Sequence, residues 1–137
     1  MKMPTWSRIA LISLFIAVLS NAYGCGSSTP NTSGGHISSG SAQLVTCPTS
    51  SLESVAISNS VFSPNQVTIT VNDIVKWTNN DSITHTVTSG TPGAADGSFD
   101  SGNLTSGSTV CVQFLVPGTF KYFCSIHTFM TGTVIVQ

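Results

Sequence analysis

Apolar and polar residues alternate with a period of two along most of the chain from Leu44 to its C-terminus. This period is typical of half-buried β-strands, because successive side chains of a strand point to opposite faces. The pattern predicts seven strands: SVAIS (54–58), QVTITV (66–71), IVKWTN (74–79), THTVTS (84–89), STVCVQFLV (108–116), TFKYFC (119–124) and GTVIVQ (132–137).

Turn residues separate these strands. Pro117 and Gly118 have the order that a type II turn requires, and they predict a hairpin between the two strands that flank them. The stretch 89–108 has no periodicity, so we interpret it as an extended surface loop or crossover. Seven short strands with turn-rich joints and no helical period favour an all-β fold, an antiparallel β-sandwich.

The N-terminal region has the pattern of an export signal. Lys2 and Arg8 precede the apolar run IALISLFIAVL (9–19), which has the length of a signal-peptide core and is short for a membrane span. Residues 1–24 are the predicted signal peptide. The following AYGC loosely matches a bacterial lipobox, so two alternatives stay open: lipid attachment at Cys25, or a soluble export cleaved after Ala22.

The segment 25–43 is rich in Gly, Ser and Thr and has too little apolar surface to offset the entropy of ordering. We predict a flexible linker with a reach of about 20–25 Å, in which His36 is a solvated residue. The folded domain is predicted over 44–137.

Composition limits the function classes. Charged residues make up 7% of the 137 residues and the net charge is −1, so there is no basic patch for nucleic acid. Once the signal peptide is removed, two lysines remain against five carboxylates, a net charge of −3. The predicted domain is therefore mildly acidic.

Most cysteines of exported proteins form disulfides, so the pairing of the four cysteines has to be considered. With Cys25 lipidated or in the linker, Cys47 and Cys111 form a plausible pair and Cys124 is left over, although the sequence leaves pairings with Cys124 open. A free thiol in an oxidising compartment is a liability unless a metal occupies it.

Cys124, His127 and Met130 follow one another at three-residue intervals. A thiolate, an imidazole and a thioether suit copper, whereas structural zinc sites use paired cysteines at a spacing that is absent here. A trigonal copper site needs a second histidine, and His85 is the other histidine in the predicted folded region. Alternatively, Cys124 and His127 could form a catalytic dyad, Met130 could be core filler, and His85 could be a surface residue.

Four segments together resemble the cupredoxin family of type 1 blue-copper proteins: KWTNNDSITHTV, DGSFDSG, VPGTFKYFCSIHTFMTG and the terminal TVIVQ. The resemblance covers about residues 54–137. It implies a Greek-key β-sandwich or barrel with one copper ion, of which His85, Cys124 and His127 are the trigonal ligands and Met130 the long axial one.

Two positions depart from the family pattern. Thr86 replaces an asparagine whose amide bridges the two ligand segments in many relatives, so we expect a hydroxyl bridge to Ser125. Ile126 and Thr128 replace the proline found beside the second histidine, which leaves backbone N–H groups available to the Cys124 sulfur. We therefore predict that a Thr128→Pro variant has a lower reduction potential, measurable by voltammetry.

The resemblance implies an electron carrier rather than an enzyme, with the edge of His127 emerging through an apolar patch near Phe129. Burial among Trp77, Phe120, Phe123 and Phe129 is expected to exclude water from the site. Expected partners are cytochromes or other electron-transfer proteins that dock transiently with a monomer. The expected location is extracytoplasmic, in the periplasm or at the cell surface. The alternative function is copper sequestration or delivery by the same ligands; a third reading is a domain that binds nothing.

Overall fold

The computed structural model describes residues 40–50 and 53–137, and this part of the chain contains ten strands and no helix. The predicted signal peptide, the lipidation site Cys25 and His36 lie outside the described residues. The strands are β1 (Ala42–Val45), β2 (Glu53–Ser58), β3 (Val61–Ser63), β4 (Gln66–Ile69), β5 (Ile74–Asn79), β6 (Thr88–Thr91), β7 (Ala94–Asp100), β8 (Thr109–Phe114), β9 (Gly118–Phe123) and β10 (Thr131–Val136).

The strands form two five-stranded sheets, in the orders β1-β8-β5-β2-β3 and β4-β10-β9-β6-β7. Most neighbours are antiparallel, but β2 runs parallel to β5 and β4 runs parallel to β10. The fold is a β-sandwich, which confirms the predicted all-β class.

The alternation of the central strands produces the core between the sheets. In β5, Val75, Trp77 and Asn79 are buried while the intervening residues are half-buried. Aromatic rings connect the two sheets: Trp77 of the first sheet meets Tyr122 of the second with ring centroids 5.2 Å apart, and Phe114 meets Phe120 at 5.0 Å. Edge-to-face packing of this kind stabilises the sandwich beyond the burial of area alone.

Three strands were missed by the periodicity, and the prediction of an extended surface loop or crossover over 89–108 is wrong, because strands occupy part of it. β6 and β7 pair in that stretch as an antiparallel hairpin with a register shift between Thr88 and Gly90. Of the seven residues of β7, only Phe99 is buried, so the strand has no alternation for a sequence pattern to detect. β1 and β3 are short edge strands, and β1 begins at Ala42, two residues before the predicted domain boundary.

The predicted hairpin at Pro117 and Gly118 is also wrong. β8 belongs to the first sheet and β9 to the second, so this segment carries the chain from one sheet to the other. A Pro-Gly turn has the same sequence pattern whether it joins two paired strands or connects two sheets, because the local backbone does not specify which strands will pair.

Cys47 and Cys111 form a disulfide, with Cα atoms 5.2 Å apart, and Cys124 is a buried free thiol. The disulfide ties the segment after β1 to β8, the strand with which β1 pairs. Within residues 40–50 and 53–137, no helix is long and apolar enough to cross a membrane.

Candidate metal centre

Three predicted ligands meet at one end of the sandwich. The Nδ1 atoms of His85 and His127 lie 3.1 Å apart, and the Sγ atom of Cys124 lies 3.9 Å from the first and 3.7 Å from the second. The point equidistant from these three atoms is about 2.1 Å from each, close to the roughly 2.0–2.3 Å lengths of metal–nitrogen and metal–sulfur bonds. These three donors are therefore close enough together to hold one metal ion.

The loop between β9 and β10 supplies two of these donors. Cys124 follows the last residue of β9, and its N–H donates to the carbonyl of Met130, at 3.1 Å. The N–H of Met130 in turn donates to the carbonyl of His127, at 2.9 Å. These two hydrogen bonds close the loop by joining its residues to one another. They hold the backbone of Met130, a buried residue, next to Cys124 and His127.

His85 is held by a different pairing from the one predicted. The predicted strand 84–89 is realised only from Thr88 onward, and His85 instead forms an isolated antiparallel bridge with Leu104. The N–H of each residue donates to the carbonyl of the other, at 3.1 and 2.8 Å. The histidine is completely buried, so its ring has little freedom to turn away from the cluster.

The far nitrogen of His85 has a carboxylate partner that the sequence reasoning missed. Nε2 lies 3.0 Å from Oδ2 of Asp81. Since an ionised carboxylate can only accept, Nε2–H donates and the lone pair of Nδ1 is left for the metal. The hydrogen bond from the N–H of Ser60 is the largest cause that lowers the pKa of Asp81; smaller contributions from Asn59 and His85 act in the same direction, and burial opposes them. An acidic residue four positions before a candidate histidine was the available signal.

Two backbone N–H groups point at the Cys124 sulfur. They belong to Thr86, at 3.3 Å, and to His127, at 3.4 Å. The sequence had pointed to Ile126 and Thr128 for this role, but among the described hydrogen bonds of the sulfur neither residue is a donor. Both donors stabilise a thiolate, because each places a partial positive charge next to it.

Hydroxyl groups join the two ligand segments. Oγ1 of Thr86 accepts the N–H of Ser125, at 2.7 Å, and lies 3.0 Å from its Oγ. Oγ1 of Thr86 also lies 3.1 Å from Oγ1 of Thr88. The segment after His85 is thereby bonded directly to the residue that follows Cys124.

One side of the cluster faces solvent. His127 is half-buried, and the Phe129 ring lies 6.2 Å from it, centroid to centroid. Phe129 is 72% exposed, so the prediction that it is buried is wrong, whereas Trp77 and Phe123 are buried as expected and Phe120 partly so. Ile83, Ile126 and Val61 are also exposed. We call Val61 and Phe129, which line one cavity, the apolar patch.

The patch continues into the loop that holds the cluster. Val61 and Phe129 line a shallow cavity together with Phe62, Asn65, Met130 and Thr131. None of these lining residues is charged. A partner that docks here would meet an uncharged surface close to His127.

Comparison with known proteins agrees with this geometry. Residues 50–137 match the family described as copper binding proteins, plastocyanin/azurin family. Amicyanin-alpha of Methylorubrum extorquens is 32% identical over 83 residues, which are 61% of this chain and 70% of that protein.

Solved structures have the same fold. The crystal structure of amicyanin from Paracoccus versutus superposes with a TM-score of 0.61 at 23% identity, over 71% of this chain and 98% of that one. A structure described as a novel purple cupredoxin, from Nitrosopumilus maritimus, superposes with a TM-score of 0.58 at 30% identity, over 62% of this chain and 99% of that one.

Proposed function

The chain belongs to the plastocyanin/azurin family of copper-binding proteins, so copper is its cofactor, and we propose that it is a blue-copper electron carrier. It passes single electrons between extracytoplasmic proteins and converts no substrate. The residues that would hold the copper are His85, Cys124, His127 and Met130. The observation that carries the proposal is the triangle of one thiol and two imidazole nitrogens around a point about 2.1 Å from each.

The donor set fits the metal, since a thiolate, two imidazoles and a thioether are the ligands that favour copper over zinc. Copper, when bound, supplies a one-electron couple between Cu(I) and Cu(II). The residues around it hold the donors in place in both states: the Leu104 bridge holds His85, and the closed loop holds Cys124 and His127. Little rearrangement then accompanies the transfer of an electron.

Access to the site is one-sided. His85 and Cys124 are completely buried and Met130 nearly so, which keeps water and oxidants away from the donors. The half-buried His127 provides the route for the electron, because it is the member of the cluster with solvent exposure. The apolar patch beside it is the proposed contact for redox partners such as cytochromes, which dock transiently on a small area.

Export is supported by the disulfide between Cys47 and Cys111, since such bonds persist in oxidising compartments. We propose a monomer that acts outside the cytoplasm. Lipid attachment at Cys25 stays a prediction.

The test is the absorption spectrum of the oxidised, copper-loaded protein. We expect an intense visible band from thiolate-to-Cu(II) charge transfer, lost in Cys124→Ser. The matched control is the double variant Cys47→Ser/Cys111→Ser, which removes two sulfur atoms that are bonded to each other and keeps the band. A colourless wild-type protein, or a band that survives Cys124→Ser, contradicts the proposal.

Redox cycling separates a carrier from a protein that delivers copper. A carrier retains the metal through repeated reduction and oxidation in the presence of a Cu(I) chelator of modest affinity. Loss of the metal to that chelator in the reduced state would instead support the delivery function.

A further inference from the structure

The carboxylate of Asp81 accepts three hydrogen bonds, and only one of them comes from the metal centre. Oδ1 accepts the N–H of Asn59, at 2.7 Å, and Oδ2 accepts the N–H of Ser60, at 2.8 Å. Oδ2 also lies 3.0 Å from Nε2 of His85. Asp81 therefore connects a proposed copper ligand to a segment more than 20 residues away in the chain.

That segment is the turn between β2 and β3. Asn59 and Ser60 are its two residues, and both have positive φ angles, 54° and 58°. A two-residue turn of this kind joins antiparallel strands with their natural twist. It presents both of its N–H groups to the Asp81 carboxylate, so the turn fixes where both oxygens lie.

The backbone of Asp81 is also held. Its N–H donates to Oδ1 of Asn79, at 2.9 Å, and Asn79 is completely buried. Nδ2 of Asn79 donates to the carbonyl of Leu104, at 2.9 Å. Leu104 is the bridge partner of His85, so Asn79 anchors both the carboxylate and the backbone segment that faces the histidine.

We propose that Asp81 and the Asn59–Ser60 turn together position His85 for copper before the metal binds. Asp81 is a positioning residue: it holds the ring with Nε2 protonated and Nδ1 free and directed at the cluster. The inference rests on the proposed ligand role of His85. It goes further in assigning the preorganisation of that ligand to the β2–β3 hairpin at the edge of the first sheet.

The substitution Asp81→Asn tests this assignment, because an amide side chain cannot accept all three hydrogen bonds that the carboxylate accepts. All three partners of the carboxylate are donors, and an amide offers one accepting oxygen and one NH2 group. Whichever way the amide turns, it places an NH2 group against either a turn N–H or the ring nitrogen. Asp96→Asn is the control, because that carboxylate lies on β7 and its hydrogen-bond partners, Ser98 and Ser89, do not belong to the metal centre.

The first measurement uses copper-free protein at neutral pH. Long-range ¹H–¹⁵N NMR of the imidazole rings should show His85 in the Nε2–H form in the wild type and in Asp96→Asn, and a mixture of forms in Asp81→Asn. A wild-type ring in the Nδ1–H form overturns the inference. This measurement on the wild type tests the inference even if the Asp81→Asn variant does not fold.

The second measurement is Cu(II) affinity by competition with a chelator. Removing an outer partner of a metal-bound histidine typically weakens binding by about 10–100-fold, and we expect this range for Asp81→Asn and no change for the control. If Cu(II) binding alone weakens tenfold, the reduction potential rises by about 59 mV. Unchanged affinity and an unchanged ring form in Asp81→Asn overturn the inference.

The turn has its own control. Asn59→Gly/Ser60→Gly keeps both N–H donors and a backbone that adopts positive φ readily, so it should behave as the wild type. Inserting one glycine between these residues displaces the donors and should reproduce Asp81→Asn. If the wild type binds copper without a blue band, the proposed function fails, while the NMR measurement on copper-free protein still tests the positioning of His85.

Discussion

Tyr122 allows a quantitative test of the packing next to the loop between β9 and β10, which carries Cys124 and His127. It lies two residues before Cys124 on β9 and is 1% exposed. Its ring packs edge-on against Phe62, with centroids 4.8 Å apart, and against Trp77. The hydroxyl oxygen is buried and has no hydrogen-bond partner among the described residues. The substitution Tyr122→Phe removes this hydroxyl and leaves the rings in contact.

Removing the hydroxyl should change the free energy of unfolding in two ways. At pH 8 the variant should be more stable by about 1 kcal/mol, since a buried hydroxyl without a partner costs roughly 1–3 kcal/mol. At high pH the difference grows, because burial raises the pKa of Tyr122 from 10.0 to about 12, against a smaller lowering by the Trp77 side chain. Between these pH values the unfolded chain loses the proton and the native protein keeps it, so the unfolded state binds fewer protons and wild-type stability falls. At about 1.36 kcal/mol per pH unit the loss reaches about 2.3 kcal/mol at pH 12, where half of the native tyrosine is itself ionised.

The assay is urea unfolding of copper-free wild type and Tyr122→Phe at several pH values from 8 to 12. The stability of the variant relative to wild type should be constant below about pH 9 and should then rise by about 2.3 kcal/mol up to pH 12. Other titrating groups act on both proteins and cancel in the difference. A difference that stays flat across this range would refute the reasoning, because it would mean that the hydroxyl ionises as easily in the native protein as in the unfolded chain.

Three further predictions concern the disulfide, the patch and one glycine. Cys47→Ser/Cys111→Ser should lower the free energy of unfolding by about 4 kcal/mol in urea titrations, since the bond closes a loop with a sequence separation of 64; a loss below about 1 kcal/mol would contradict this. Phe129→Lys should slow electron self-exchange, measured by NMR in mixed Cu(I) and Cu(II) samples, at least tenfold with an unchanged visible spectrum, because like charges then face each other across the contact; an unchanged rate would exclude Phe129 from it. Gly132→Ala should destabilise by about 2 kcal/mol or more in thermal unfolding, because the added Cβ overlaps the Tyr122 ring; wild-type stability would show that the ring can move away.

The sequence was informative wherever one local property decided the outcome. β5 and β10 alternate because one face of each is buried in the core, and a period of two is the direct record of that burial. The spacing of Cys124, His127 and Met130 was equally readable, since all three lie in one short loop. The chemistry of these donors pointed to copper, and the family match agrees with it.

Other features depended on which segments meet in space. β7 is exposed along most of its length, so its pairing with β6 left no pattern. The segment at Pro117 and Gly118 has turn chemistry, but only the arrangement of the sheets makes it a crossing between them.

The surroundings of the metal site also depended on which segments meet in space. Phe129 was expected inside because it is aromatic, yet the closed loop turns it outward. Asp81 was not among the predicted site residues, and its proposed role depends on the Asn59–Ser60 turn and on His85, which approach it only in the folded chain. Alternation and donor type are properties of neighbouring residues, whereas strand pairing and ligand orientation depend on contacts between distant ones, and for that reason only the tertiary structure decided them.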